Sequence, residues 1–419
     1  MSTPTPPTLQ KPKHVKYWLR CLRTCLPTDY TSTDLNRLTL GFFCIAALDL
    51  LGCLHTETTE EERAGWIDWV YKNQLPAGGF RGSPATDLGE GGSGSEWDPP
   101  IVPASFFALA TLVSLGDGLG RVKKRALLEL LPKVQRKDGS FGEWLGGDGQ
   151  IIGGSDMRFV YCAVAIRWIL RGREGKGVVE GIEDIDVEGV VSFIRSAESH
   201  EHGISDKAFG EAHAGLTYCA IGALALLGRL HPTSDGLSAH ANILRWLTSR
   251  QVPSQAQDEL RNEEYVHQIA NGTEQEIAAG AVITYGADGK PLWAGFNGRC
   301  NKQSDTCYSF WVCGSLDVIP PTSNRHLRLT EPQMMRKLHL IDFDSNRRFL
   351  LEKTQHFIGG FSKLPVPGTP PDILHSFMGL ASLALMREEG LNRLDPTLCI
   401  SMQAKERLVN MDWWRGVAA

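Results

Sequence analysis

Trp66-Ile-Asp-Trp-Val-Tyr-Lys-Asn-Gln-Leu-Pro-Ala-Gly-Gly-Phe80 ends an amphipathic helical pattern with a glutamine and then a glycine–aromatic turn. The phrase returns as ALLELLPKVQRKDGSF (126–141), NILRWLTSRQ (242–251) and RRFLLEKTQHFIGGF (347–361). A degraded copy, VVSFIRSAESHEHGI (190–204), keeps the phase. Phe80 and Phe141 are 61 residues apart, Phe141 and Ile204 are 63 apart, and Phe296 and Phe361 are 65 apart. In the degraded copy Val190, Phe193, Ile194 and Ala197 follow the i, i+3, i+4, i+7 spacing of a one-sided helix.

A second kind of helix follows each turn: FFALATLVSL (106–115), MRFVYCAVAIRWIL (157–170), GLTYCAIGALALL (215–227), CYSFWVCGSL (307–316) and ILHSFMGLASLAL (373–385). These are apolar nearly all round, as helices buried on several sides are. Alternation of the two kinds implies two concentric layers. Hairpins of this sort cannot bury their faces alone and must stack on one another. A closed ring, an all-α α/α toroid, satisfies every unit. The expected organisation is a flexible N-terminal tail over 1–15 and one toroid domain over 16–419. That domain carries an insertion around 252–295, and a Gly/Ser-rich loop covers 83–100.

A net charge of −5 over 419 residues argues against a nucleic-acid or anionic-membrane binder. No run of about 20 apolar residues offers a membrane span. The ten cysteines are scattered, which reads as free thiols in a reducing, cytoplasmic setting.

The polar residues of the apolar helices recur in phase. Asp156, His213, Asp305 and Asp372 each lie five residues before a mid-helix aromatic: Tyr161, Tyr218, Phe310 and Phe377. In a toroid such positions ring one mouth of the barrel, where helix N-termini favour anions. Plain N-capping explains Asp156 and Asp372 equally well, and His213 less well.

The densest stretch runs from Arg299 to Trp311. Asp305, Cys307 and, one repeat onward, His375 form an N/O/S set suited to zinc, with a fourth position left open. The plainer alternative is a buried cysteine and a satisfied core histidine. Arg299, Lys302 and Tyr308, with His213 from the preceding repeat, form a cationic rim; the plainer alternative is a solvated basic loop.

With RLTLGFF, GGFRGSP, DMRFVYCA, EAHAGLTYC, NGRCNKQSDTCYSFWV and GGFSKLP…PDILHSF, the chain resembles the β subunits of protein prenyltransferases over about residues 36–390. Within that family it is most similar to the type I geranylgeranyl branch. The resemblance implies one Zn2+ per β subunit, held by Asp305, Cys307 and His375. It implies diphosphate binding by His213, Arg299, Lys302 and Tyr308. Arg158 matches an arginine near the isoprenoid and the peptide carboxylate, and Trp311 an aromatic wall of the lipid channel. Thr39 matches a small residue where farnesyl enzymes carry a channel-shortening tryptophan. Phe43 and Leu374 match neighbours of the peptide's last side chain. Lys363 stands where farnesyl and Rab enzymes carry an aspartate, so it joins the diphosphate set and Mg2+ is not required. The expected catalytic residues are Lys363, Tyr308 and His213.

The implied partners are an α subunit in a heterodimer, geranylgeranyl diphosphate, and CaaX-type protein C-termini such as those of small GTPases, X often Leu. The alternatives are a farnesyl or Rab β subunit, or a non-catalytic binding toroid.

Overall fold

The computed structural model describes residues 7–30, 33–87, 89, 97–172, 181–231, 236–254, 283–286, 288–320 and 340–416. Its inner layer is formed by α2 (Arg37–Leu50), α4 (Val102–Ser114), α6 (Met157–Arg171), α8 (Ala214–Leu226), α10 (Thr306–Val318) and α12 (Ile373–Leu385). Each contacts the next, and α12 returns to α2, so the ring is closed. The outer layer is formed by α1 (Lys11–Arg23), α3 (Glu60–Lys72), α5 (Lys124–Lys133), α7 (Val187–Ser196), α9 (His240–Thr248) and α11 (Phe343–Arg348). The last runs into a π-helical turn, Phe349–Thr354. The toroid is therefore the one read from the repeat. A sixth hairpin, α1 with α2, completes it without the glutamine–glycine–aromatic phrase between its helices.

The repeated turn has a physical purpose. Gln74, Gln135 and Gln355 each bridge to the aromatic six residues later, Phe80, Phe141 and Phe361, and Glu198 bridges likewise to Ile204. All four apolar partners are fully buried. Two glycines at φ +94° and +77°, Gly359 and Gly360, make the reversal, a backbone region other residues enter only at a cost.

Each glutamine side chain then clamps the backbone leading into the next outer helix. The Gln135 amide donates to the Asp186 carbonyl at 2.9 Å and accepts from its N–H at 2.7 Å. Gln251 does the same with Asp342, at 2.7 and 2.8 Å, and Gln74 with Arg121 and Lys123. The degraded Glu198 keeps only the accepting half, from Ser238 N–H at 2.9 Å.

Gln355 closes the ring. It accepts from Gln10 N–H at 2.9 Å and donates to Thr8 O at 3.2 Å, which ties the last repeat to the first helix. Buried His14 joins the clasp: its Nδ1 accepts from Gly360 N–H, so Nε2–H donates to Gln355 Oε1 at 3.0 Å. Burial lowers its pKa to about 4, so the ring is neutral. Gln355→Ala is expected to cost about 2–3 kcal/mol, from several lost bonds and an orphaned buried N–H. The checks are the denaturant midpoint and faster amide exchange confined to α1.

Part of the 1–15 stretch is helix, not tail, because α1 starts at Lys11 and buries His14 and Val15. Pro12 suits the first helical turn, where its missing N–H costs nothing. Residues 1–6 lie outside the described part. The insertion hangs from a turn of the repeat: Gln251 pairs with Phe296 in the antiparallel ribbon Gln251–Pro253/Ala294–Phe296. Residues 255–282 lie outside the described part, as do 88 and 90–96 of the 83–100 loop. The base of that loop is held by Arg81, buried and bidentate to Asp98 at 3.0 and 2.7 Å. Deeper in the ring, the hydroxyls of Tyr161 and Tyr218 donate to the carbonyls of Thr397 and Pro396, so the C-terminal segment packs against the inner helices there. Among the described residues no helix is long and apolar enough to cross a membrane.

Candidate active site

The four in-phase polar residues all stand at the N-caps of inner helices. Asp156 accepts from Arg158 N–H at 2.8 Å, Asp305 from Cys307 N–H at 2.8 Å, and Asp372 from His375 N–H at 2.9 Å. His213 caps as well, through Nδ1 to Gly215 N–H at 3.1 Å, which its residue type did not lead one to expect. A neutral imidazole explains it. Burial, followed by the nearby charges of Arg299 and Arg158, lowers the His213 pKa. With Nδ1 accepting, Nε2–H is left to donate to the Tyr308 hydroxyl at 3.0 Å.

Asp305 and Cys307 face one point because a helix begins between them: Asp305 is the cap of α10 and Cys307 lies in its first turn. His375 enters from the first turn of the neighbouring α12. The ligand atoms of the three lie within 4.8 Å of one another, and all three residues are buried. His375 Nε2 is 3.3 Å from Asp305 Oδ1, while Nδ1 is 2.6 Å from Asp372 Oδ2. The carboxylate behind the ring fixes its tautomer and turns Nε2 to the common point, as carboxylates backing metal-bound histidines do.

The protonation pattern fits a cation there. Burial disfavours charge on His375, but its hydrogen bonds to Asp305 and Asp372 outweigh this and raise its pKa to about 9. Burial works against Asp305 too, and His375 holds it below the usual carboxylate range. Burial and then Asp305 push the Cys307 thiol well up, opposed by Trp311 and Lys363. A divalent cation at the shared point would compete with a proton for His375.

The Lys363 backbone is tied to the start of α10: its carbonyl accepts from Thr306 N–H at 3.0 Å, and Thr306 Oγ1 donates to Ser362 O at 2.7 Å. Its side chain is exposed. On the other side of α10, the loop before it is laced to α8. Ala214 N–H donates to Gly298 O at 2.8 Å. A side chain at Gly298 would stand 2.2 Å from the Tyr308 ring, so the loop approaches closely only as glycine. Arg299 Nη1 donates to Glu211 Oε2 at 2.6 Å. Lys302 lies on the same loop, where Asn297 Nδ2 donates to its carbonyl at 2.9 Å.

The remaining residues named from the sequence lie in the N-terminal halves of inner helices. Arg158, exposed on the first turn of α6, pairs with Asp156 through Nε at 2.9 Å. Half-buried Trp311 packs on Tyr218 and Phe310, with centroids 5.0 and 5.1 Å apart. Phe43 of α2 stacks obliquely on Phe377 of α12 at 5.1 Å. Thr39 lies one turn earlier on α2, and Leu374 opens α12; both are half-buried. Sequence reasoning missed Glu211 as the partner of Arg299, and Asp372 as the orienter of His375 rather than a cap alone. The Asp-x-x-His spacing carried the second signal. It also missed Tyr30, whose hydroxyl donates to Asp372 Oδ1 from 342 residues away.

Residues 9–400 match the prenyltransferase alpha-alpha toroid domain. The geranylgeranyl transferase type-1 subunit beta of Dictyostelium discoideum is 30% identical, over 97% of this chain and 98% of its own length. The protein of the same description from Arabidopsis thaliana is 29% identical, over 94% and 90%. The solved Candida albicans protein geranylgeranyltransferase-I complexed with GGPP superposes with a TM-score of 0.74 at 25% identity, covering 98% of this chain and 100% of that one. The chain belongs to the prenyltransferase α–α toroid family and, within it, to the β subunits of type-1 geranylgeranyl transferases.

Proposed function

We propose that this β subunit, paired with an α subunit in the cytoplasm, transfers the geranylgeranyl group of geranylgeranyl diphosphate to the cysteine of CaaX-type protein C-termini such as those of small GTPases. The observation that carries the reading is one helix start. The first turn of α10 puts the Asp305–Cys307–His375 donor set and the Tyr308–His213 pair side by side. A diphosphate needs the second set, and activation of a thiol needs the first.

In this reading Asp305, Cys307 and His375 hold one zinc ion. A zinc ion held by these three residues would supply a lowered pKa to the acceptor thiol near neutral pH. His213, Arg299, Lys302, Tyr308 and Lys363 hold the diphosphate. They face the charge that gathers on it as the C1–O bond breaks and the C1–S bond forms. Each such preorganised donor contributes about 10²–10³ in rate. Trp311 offers an aromatic face to an allylic carbon gaining positive charge. Arg158 stands beside His213 to meet the peptide carboxylate, and Phe43 and Leu374 border its last side chain. Lys363 takes the place of a magnesium ion.

The test is co-expression with an α subunit, followed by assay of 15- and 20-carbon donors with and without Mg2+. Preferred transfer of the 20-carbon group without magnesium is expected. Preference for the 15-carbon donor would move the chain to the farnesyl activity, and no transfer of either would leave a binding toroid. Thr39→Trp is expected to shift the donor ratio toward 15 carbons by at least about tenfold, since a filled pocket excludes the longer chain. An unchanged ratio removes Thr39 from the length gauge.

A further inference from the structure

Tyr30 lies in a short 3-10 turn, Thr28–Tyr30, ahead of the first inner helix and outside the repeated phrase. Its hydroxyl donates to Asp372 Oδ1 at 3.0 Å and accepts from Leu374 N–H at 3.3 Å. The same Oδ1 takes His375 N–H at 2.9 Å, and the other oxygen of Asp372 takes His375 Nδ1 at 2.6 Å. One phenol therefore touches both the carboxylate that orients a donor and an otherwise orphaned N–H of the helix that carries it.

The turn is anchored from behind. Thr33 Oγ1 donates to Tyr30 O at 2.8 Å. Further on, Leu38 N–H donates to Gly82 O at 3.0 Å, and a side chain at Gly82 would meet Leu35 O.

We propose that Tyr30 is a positioning residue of the metal site. It prevents the Asp372 carboxylate from turning about its Cβ–Cγ bond, and so keeps His375 Nε2 aimed at the point shared with Asp305 and Cys307. The proposal rests on the metal reading given above. Loss of Tyr30 is felt first in metal affinity and geometry, because its hydroxyl bonds to Asp372 and to the start of the helix that carries His375.

The experiment uses the αβ heterodimer carrying Tyr30→Phe, which keeps the ring and removes the hydroxyl. Zinc retention is measured against graded chelator, and the cobalt-loaded protein is read by its visible absorption. Asp372→Asn serves as a reference for direct loss of the orienting carboxylate. Changes to outer partners of a metal site cost about 10–100-fold in affinity. Asp372→Asn is expected in that range and Tyr30→Phe at its lower end, about tenfold. A shifted cobalt band, an unchanged KM for the prenyl donor and an unchanged melting temperature of the metal-free protein are also expected.

Retention and a cobalt band identical to wild type overturn the proposal. So does a loss of affinity that only tracks a lower melting temperature of the metal-free protein, which makes Tyr30 a structural clasp. A wild-type heterodimer that takes up no cobalt or zinc overturns the metal reading itself, and this proposal with it.

Discussion

Cys307→Ala is expected to release the metal and to slow prenyl transfer by about 3 × 10³-fold while leaving the toroid folded. A substrate cysteine with an ordinary pKa near 8.5 is only a few per cent thiolate at pH 7, which accounts for roughly 30-fold. Loss of the point that holds the sulfur over C1 adds about 10², the usual cost of a displacement of about 1 Å. The side chain is small and sits in the first turn of α10, so alanine fits the helix. The checks are metal content and single-turnover rate against pH. The wild type should be nearly flat around neutrality. The variant should climb with pH until the free thiol ionises. A metal-free variant with full activity would end the assignment of Asp305, Cys307 and His375.

Lys363→Asp should lower the magnesium-free rate by about 10²–10³-fold, the scale of removing one preorganised charge from a developing anion. It should also make the rate respond to magnesium. A carboxylate beside diphosphate oxygens supplies the hard oxygen ligands that Mg2+ prefers. The position is well defined, because the Lys363 carbonyl is tied to Thr306 N–H and its charge bears on Cys307. Steady-state rates over a magnesium titration of both proteins decide the matter. A variant indifferent to magnesium, or a wild type that requires it, refutes the charge-replacement idea.

The repeat made the fold legible. A glutamine, a glycine and an aromatic six residues after the glutamine are local requirements of one turn, so they survive as a pattern along the chain. The first hairpin was harder to read. Gln355 clamps the backbone before α1 from the far end of the sequence, so the segment around Thr8–His14 looks like a polar tail until the ring closes. His213 shows the same limit. Its capping bond depends on a neutral ring, and that neutrality is favoured by burial and by Arg299 and Arg158, which arrive from other repeats.

By itself the sequence determined the toroid, its phase, and the kinds of residue at its rim. These follow from periodicities of a few residues and from the chemistry of side chains. Only the tertiary structure decided which of those residues meet. The start of α10 turned the D-x-C spacing into a converging pair, Asp372 became the orienter of His375, Glu211 the partner of Arg299, and Tyr30 a hydrogen-bond donor to Asp372. The reason is physical: a hydrogen bond is fixed at about 3 Å, and a sequence carries no distance between residues 342 positions apart until the chain has closed on itself.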